Sequence, residues 1–171
     1  MKNRHGKKVF VASIIALLAL ATGAAAQAAL SIGGNQAHFG VHRLAPGFTP
    51  DPRVINVVSG GNIDVSTLNL GAGCTGWVTR QPDAIVHVQN GTSQLLRFFV
   101  RANGNGDTTL VINDARGNWH CNDDVSGNNL NPLVDIANAG PGQYDVWIGS
   151  YRNGEQLGGS LNITELQSQR P

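Results

Sequence analysis

Between Phe39 and Leu166 the chain is a succession of short runs in which apolar and polar residues alternate, broken by Gly, Pro, Asn and Asp. A period of two is the signature of β-strands with one buried face. The runs predict strands over Phe39–Leu44, Arg53–Val58, Ile63–Leu68, Trp77–Thr79, Ala84–Gln89 and Leu95–Ala102 in the first part. Thr108–Asn113, Asn118–Asn122, Leu133–Ile136, Tyr144–Ser150 and Ser160–Leu166 follow. Asn90–Gly91 is a two-residue hairpin signal. The proline-rich stretch Ala45–Pro52 has too few backbone donors for a central strand. Strands recur roughly every 8 to 12 residues with no helical crossover between them, which predicts an all-β sandwich or barrel.

The most informative stretch is Asn103–Asn129. Thr108–Asn113 reads as a strand, Asp114–Gly117 as a turn with Asp first and Gly last, and Asn118–Asn122 as the return. A four-residue loop sets Asn113 opposite Asn118, Leu110 opposite Cys121 and Asp107 opposite Asp124. Leu110, Ile112, Trp119 and Cys121 then share the core face, and His120 points outward to solvent. Asp107, Asp123 and Asp124 crowd one end of this hairpin. Like charges facing each other destabilise a sheet, so a hard cation is expected to compensate them. Ca²⁺ fits best, with Asn105 and Asn122 adding oxygens. Asn103, Asn105, Asp107 and Asp114 imitate the spacing of an EF-hand loop, but position six is Thr108 instead of Gly. An apolar strand then carries Asp114 about 23 Å from Asp107 at 3.3 Å per residue.

The N-terminus sets the compartment. Lys2, Arg4, Lys7 and Lys8 precede an apolar run, Val9–Leu20, and a small-residue stretch ending in Ala26-Gln27-Ala28. This is the pattern of a secretory signal peptide over 1–28, with cleavage expected after Ala28 and Ala26 as the alternative. No membrane span is expected once it is removed, and the mature chain is expected to be secreted or periplasmic. Four of the 12 basic residues lie in that segment, so eight remain against 11 acidic ones, and none of the eight is lysine. Such a balance argues against nucleic acid and anionic membranes as partners. The two cysteines, Cys74 and Cys121, are expected to pair as a disulfide in an oxidising compartment.

DTTLVINDARGNW, CNDD, NPLVDIANAGPGQYDVWIGSY and LNITE together resemble the bacterial pre-peptidase C-terminal domain family over roughly Ala84–Glu165. The resemblance implies a secreted, antiparallel β-sandwich of jelly-roll type that accompanies a protease. It also maps Asp107, Asn122, Asp123 and Asp124 onto the family's acidic positions. Phe39–Thr79 lies outside the family pattern, and no attached catalytic domain is expected. The expected organisation is a signal peptide (1–28), an N-terminal linker (29–38), one sandwich domain (39–166) and a frayed C-terminal tail (167–171).

Catalytic patterns are missing: there is no G-x-S-x-G elbow and no HExxH, and Ser59-Gly60-Gly61 lacks the preceding acidic residue of a serine-protease motif. The expectation is therefore an exported, non-catalytic, calcium-stabilised module that binds a protein or polymer outside the cytoplasm. The alternatives are a stand-alone secreted or periplasmic hydrolase of peptidase type, and an accessory or inhibitory partner of a separately encoded protease. Trp77, Trp147 and Tyr151 are candidates for a binding face or, more often for such residues, for core packing.

Overall fold

The computed structural model describes residues 30–171, so the signal-peptide reading of 1–28 lies outside the described residues. Eleven strands and one 3-10 turn form two packed sheets. In chain order the strands are β1 (Val41–Leu44), β2 (Arg53–Val58), β3 (Ile63–Asp64), β4 (Trp77–Val78), β5 (Ala84–Val88) and β6 (Ser93–Ala102). They continue with β7 (Thr108–Asn113), β8 (Trp119–Asn122), β9 (Leu133–Ala139), β10 (Gly142–Ser150) and β11 (Gly158–Thr164). One sheet runs β2-β11-β6-β9; the other contains β5-β10-β7-β8 with β1, β3 and β4 added to it. Every pairing within these two four-stranded sets is antiparallel. These interleaved sets are those of a jelly roll.

The alternation read from sequence explains the core. Val86, Leu110, Ile112, Val146 and Ile148 point from one sheet toward Leu96, Phe98, Leu161 and Ile163 of the other, all essentially inaccessible to solvent. Burying each such side chain contributes about 1.5–3 kcal/mol.

Several expected details differ. β1 pairs with β5 in parallel, Val41 opposite Ile85. Asn90–Gly91 makes no hairpin, because β5 and β6 belong to different sheets and the loop crosses between them. Both residues do have positive φ, 59° and 148°, so the local turn chemistry was legible while the partner strands were not. The run Ile63–Leu68 leaves the sheet after Asp64, whose side chain caps a 3-10 turn over Val65–Leu68.

A second apolar cluster lies outside the sandwich, on the outer face of the larger sheet. Leu30, Val65, Val78, Val111 and Trp147 are fully buried there, with Leu68, Trp119, Cys74 and Cys121 packed beside them. The Cys74–Cys121 disulfide is present, with an S–S distance of 2.05 Å. Two residues past Cys74 the backbone lies close on β7 at Gly76, at φ +91°, where a Cβ would sit 2.3 Å from the Thr109 hydroxyl. At the other end of the chain the tail is not frayed. Arg97 donates to the carbonyls of Gln167 and Gln169, at 2.5 and 3.0 Å.

Candidate metal centre

The hairpin β7–β8 carries the candidate site, and its register is one residue away from the expected one. Asn113 faces Trp119, Ile112 faces His120, Val111 faces Cys121 and Leu110 faces Asn122. The connection therefore has five residues, Asp114–Asn118, because Asp114 organises it. Its carboxylate accepts the backbone N–H groups of Arg116 and Asn118 at 2.9 and 2.8 Å and the side chain of Asn118 at 3.1 Å. His120 Nε2 lies 2.9 Å from the same carboxylate. A one-residue slip flips faces. Trp119 and Cys121 accordingly join the outer cluster with Val111, while Leu110 and Ile112 enter the sandwich core. His120 is half-buried against Asp114 instead of solvated. Burial alone would raise the Asp114 carboxyl, but these bonds, that of His120 foremost, outweigh it and hold the carboxyl down at about 2.

Beyond Asn122 the chain bends at Asp123. Adjacent strand residues point to opposite faces, so only such a bend lets both Asp123 and Asp124 turn toward Asp107. One carboxylate oxygen from each of the three lies within 4.8 Å of the others. The Oδ1 atoms of Asp107, Asp123 and Asp124 are all buried and, among the described residues, have no hydrogen-bond partner. Burial, then Asp124 and Asp107, pushes the Asp123 carboxyl up to about 6. Burial and Asp124 raise Asp107 as well, with Arg152 pulling the other way.

The backbone fixes this geometry from three sides. Asp107 accepts the Tyr151 N–H through its carbonyl (3.1 Å), and Thr108 N–H reaches the Leu130 carbonyl (3.2 Å). Asn122 ties the end of β8 to β9: its side-chain oxygen accepts the Leu133 N–H at 2.8 Å, and its Nδ2 donates to the Asp124 carbonyl at 3.2 Å. Asn105 lies on the exposed loop before Asp107, at the wall of a polar cavity of about 410 Å³ with Asn128 and Asn129. The structure thus brings the three expected aspartates together, commits the Asn122 side chain to the backbone, and leaves Asn105 on the rim.

Of the aromatic candidates, Trp147 is fully buried with its ring tilted 40° to that of Trp119 and centres 5.8 Å apart, whereas Tyr151 is exposed and donates its N–H to the Asp107 carbonyl. Sequence reasoning passed over Asp83. It occupies the gap where residues 79–83 bulge out between β4 and β5. Its carboxyl accepts the Ile148 N–H at 2.7 Å, its own N–H donates to the Val146 carbonyl at 2.8 Å, and burial pushes its pKa up to about 8. A lone Asp after Pro82 carries no sequence signal for this.

No protein-family model matches the chain, and no match was found among curated proteins. Among solved structures it is similar to the pre-peptidase C-terminal domain of a collagenase from Bacillus anthracis. The identity is 13% and the TM-score 0.39, over 77% of this chain and 98% of that one.

Proposed function

We propose that this chain is a non-catalytic β-sandwich module, exported from the cytoplasm, that takes up Ca²⁺ at Asp107, Asp123 and Asp124 and binds a protein or polymer there. The observation that carries the reading is three aspartates that bring carboxylate oxygens within 4.8 Å of one another, each with a buried, unpartnered Oδ1. Oxygens on opposite sides of a calcium ion with 2.3–2.6 Å bonds lie about 4.6–5.2 Å apart, so the cluster has the span of one calcium sphere. A buried carboxylate without a donor is costly, and three in contact repel each other as well. A divalent cation offsets both penalties. Asn105, on the same loop as Asp107, is the asparagine free to turn toward the ion, and water completes the shell.

The non-catalytic reading is supported by the surroundings of the hydroxyl that sequence alone could connect with a nucleophile. Ser59 Oγ meets Ser150 Oγ at 2.7 Å and the Leu157 N–H at 3.2 Å, not a base. The binding reading is supported by Val125, Leu130 and Tyr151, exposed apolar residues on the three segments that surround the aspartates. The disulfide favours an oxidising compartment. Thermal unfolding tests the cation site. The melting temperature rises with added Ca²⁺ and falls with chelator in the intact chain, and Asp124→Ala blunts the response. Identical melts in calcium and in chelator remove calcium from the reading.

A further inference from the structure

The centre of the outer face of the β2-β11-β6-β9 sheet is covered by the chain's own C-terminal residues, while the outward side chains of β2 stay exposed. Alternation along β6 puts Leu96, Phe98 and Val100 in the sandwich and Arg97, Phe99 and Arg101 on the other side. Phe99 is nevertheless fully buried, with the Arg101 guanidinium 5.1 Å from its ring centre. The arginines on either side of it both reach the tail. Arg97, oriented by a two-pronged ion pair with Asp135 (2.6 and 2.7 Å), donates to the Gln167 and Gln169 carbonyls. Arg101 donates to the Arg170 carbonyl at 2.5 Å. The tail thus crosses over Phe99.

Each of these contacts is made to a main-chain carbonyl, and Leu166, Gln167, Ser168 and Arg170 keep their side chains exposed. A surface that holds a segment by its backbone does not depend on that segment's sequence. The occupant is also a poor electrostatic match, since Arg170 brings a cation to Arg101. Beside Arg101 the surface continues as a shallow cavity of about 500 Å³ lined by Val54, Asn56 and Ser160, where a longer segment has room.

We propose that this face is a groove for an acidic peptide of a partner protein, and that residues 166–171 occupy it in cis as a built-in competitor. A partner residue with a carboxylate at the position of Arg170 pairs with Arg101 where the tail repels it. The end of the tail reaches the loop beside the candidate cation site, where Asn129 Nδ2 donates to the Pro171 carbonyl at 3.3 Å.

The test uses the full chain and a fluorescent, C-terminally amidated peptide of residues 166–171 carrying Arg170→Glu. Gln169→Pro removes the N–H that donates to the Leu166 carbonyl and shapes the tail's turn (3.1 Å), so it loosens the competitor. The peptide binds the Gln169→Pro chain about tenfold more tightly than the parent chain, because only the open fraction binds. It also outbinds the same peptide with Arg170 retained by about threefold, the worth of one exposed ion pair. Arg101→Ala abolishes that preference. In the parent chain, excess acidic peptide accelerates trimming of the tail by a carboxypeptidase that accepts proline. Absence of saturable binding, equal binding of the two peptides, or trimming that the peptide does not change overturns the proposal.

Discussion

Val111 and Cys121 stand opposite each other across the β7–β8 ladder, and both point away from the sandwich. That pairing places the disulfide in the outer cluster beside Trp147 and Trp119. It also ties the excursion 63–76 to the strand that precedes Asp123 and Asp124.

Breaking this link has a measurable cost. For two half-cystines 47 residues apart, loss of the cross-link removes about 4 kcal/mol on the chain-entropy model. The pair Cys74→Ala, Cys121→Ala is expected to unfold at markedly lower denaturant concentration. An unchanged midpoint would show that the outer cluster alone holds residues 63–76.

The same cluster makes Leu30 part of the fold. Its side chain is fully buried, and the neighbouring Ser31 donates its N–H to the Arg80 carbonyl at 2.9 Å. Leu30→Ala is expected to cost about 2–5 kcal/mol, as for other fully buried leucines. A loss below 0.5 kcal/mol in chemical denaturation, the scale of a surface substitution, would contradict its burial.

Calcium uptake is expected to be linked to protons. Asp123 is raised to about 6 and Asp107 is also raised, so binding displaces protons below about pH 6 and the apparent affinity falls as pH drops. The metal-free chain shows the opposite trend. A carboxyl with a raised folded pKa binds more protons folded than unfolded. Its contribution is therefore complete below the unfolded value, near 3.8, and is lost as pH rises through about 6. Calorimetry in buffers of different ionisation enthalpy counts the protons released. Asp123→Asn reduces that number.

Asp83 extends the trend to higher pH. With its carboxyl raised to about 8, folding favours the protonated form, and stability from this group declines between about pH 4 and pH 8. An asparagine oxygen can still accept the Ile148 N–H. Asp83→Asn is therefore expected to fold and to flatten the decline, with little change near pH 4. A pH–stability curve identical to the parent's would show that Asp83 ionises freely in the fold.

Local patterning by itself determined a good deal of this protein. Period-two alternation located Arg53–Val58 to the residue, because one buried face writes itself directly into a strand, and the β-branched, apolar run TTLVIN located Thr108–Asn113, which is buried on both faces. Asp107, Asp123 and Asp124 stood out as too many carboxylates for one hairpin end. The even cysteine pair suited a bridge. The tertiary structure decided what depends on partners distant in sequence. Asp114 accepts enough hydrogen bonds to lengthen the turn by one residue, and that single step exchanged the two faces of β8. The sheet of each strand was equally illegible, so Asn90–Gly91 crosses the sandwich where a local signal suggested a hairpin. Trp147 is buried outside the sandwich because Leu30 and Val65 arrive from far along the chain. Alternation records that a residue has a buried side, whereas only the assembled sheets specify what lies against it.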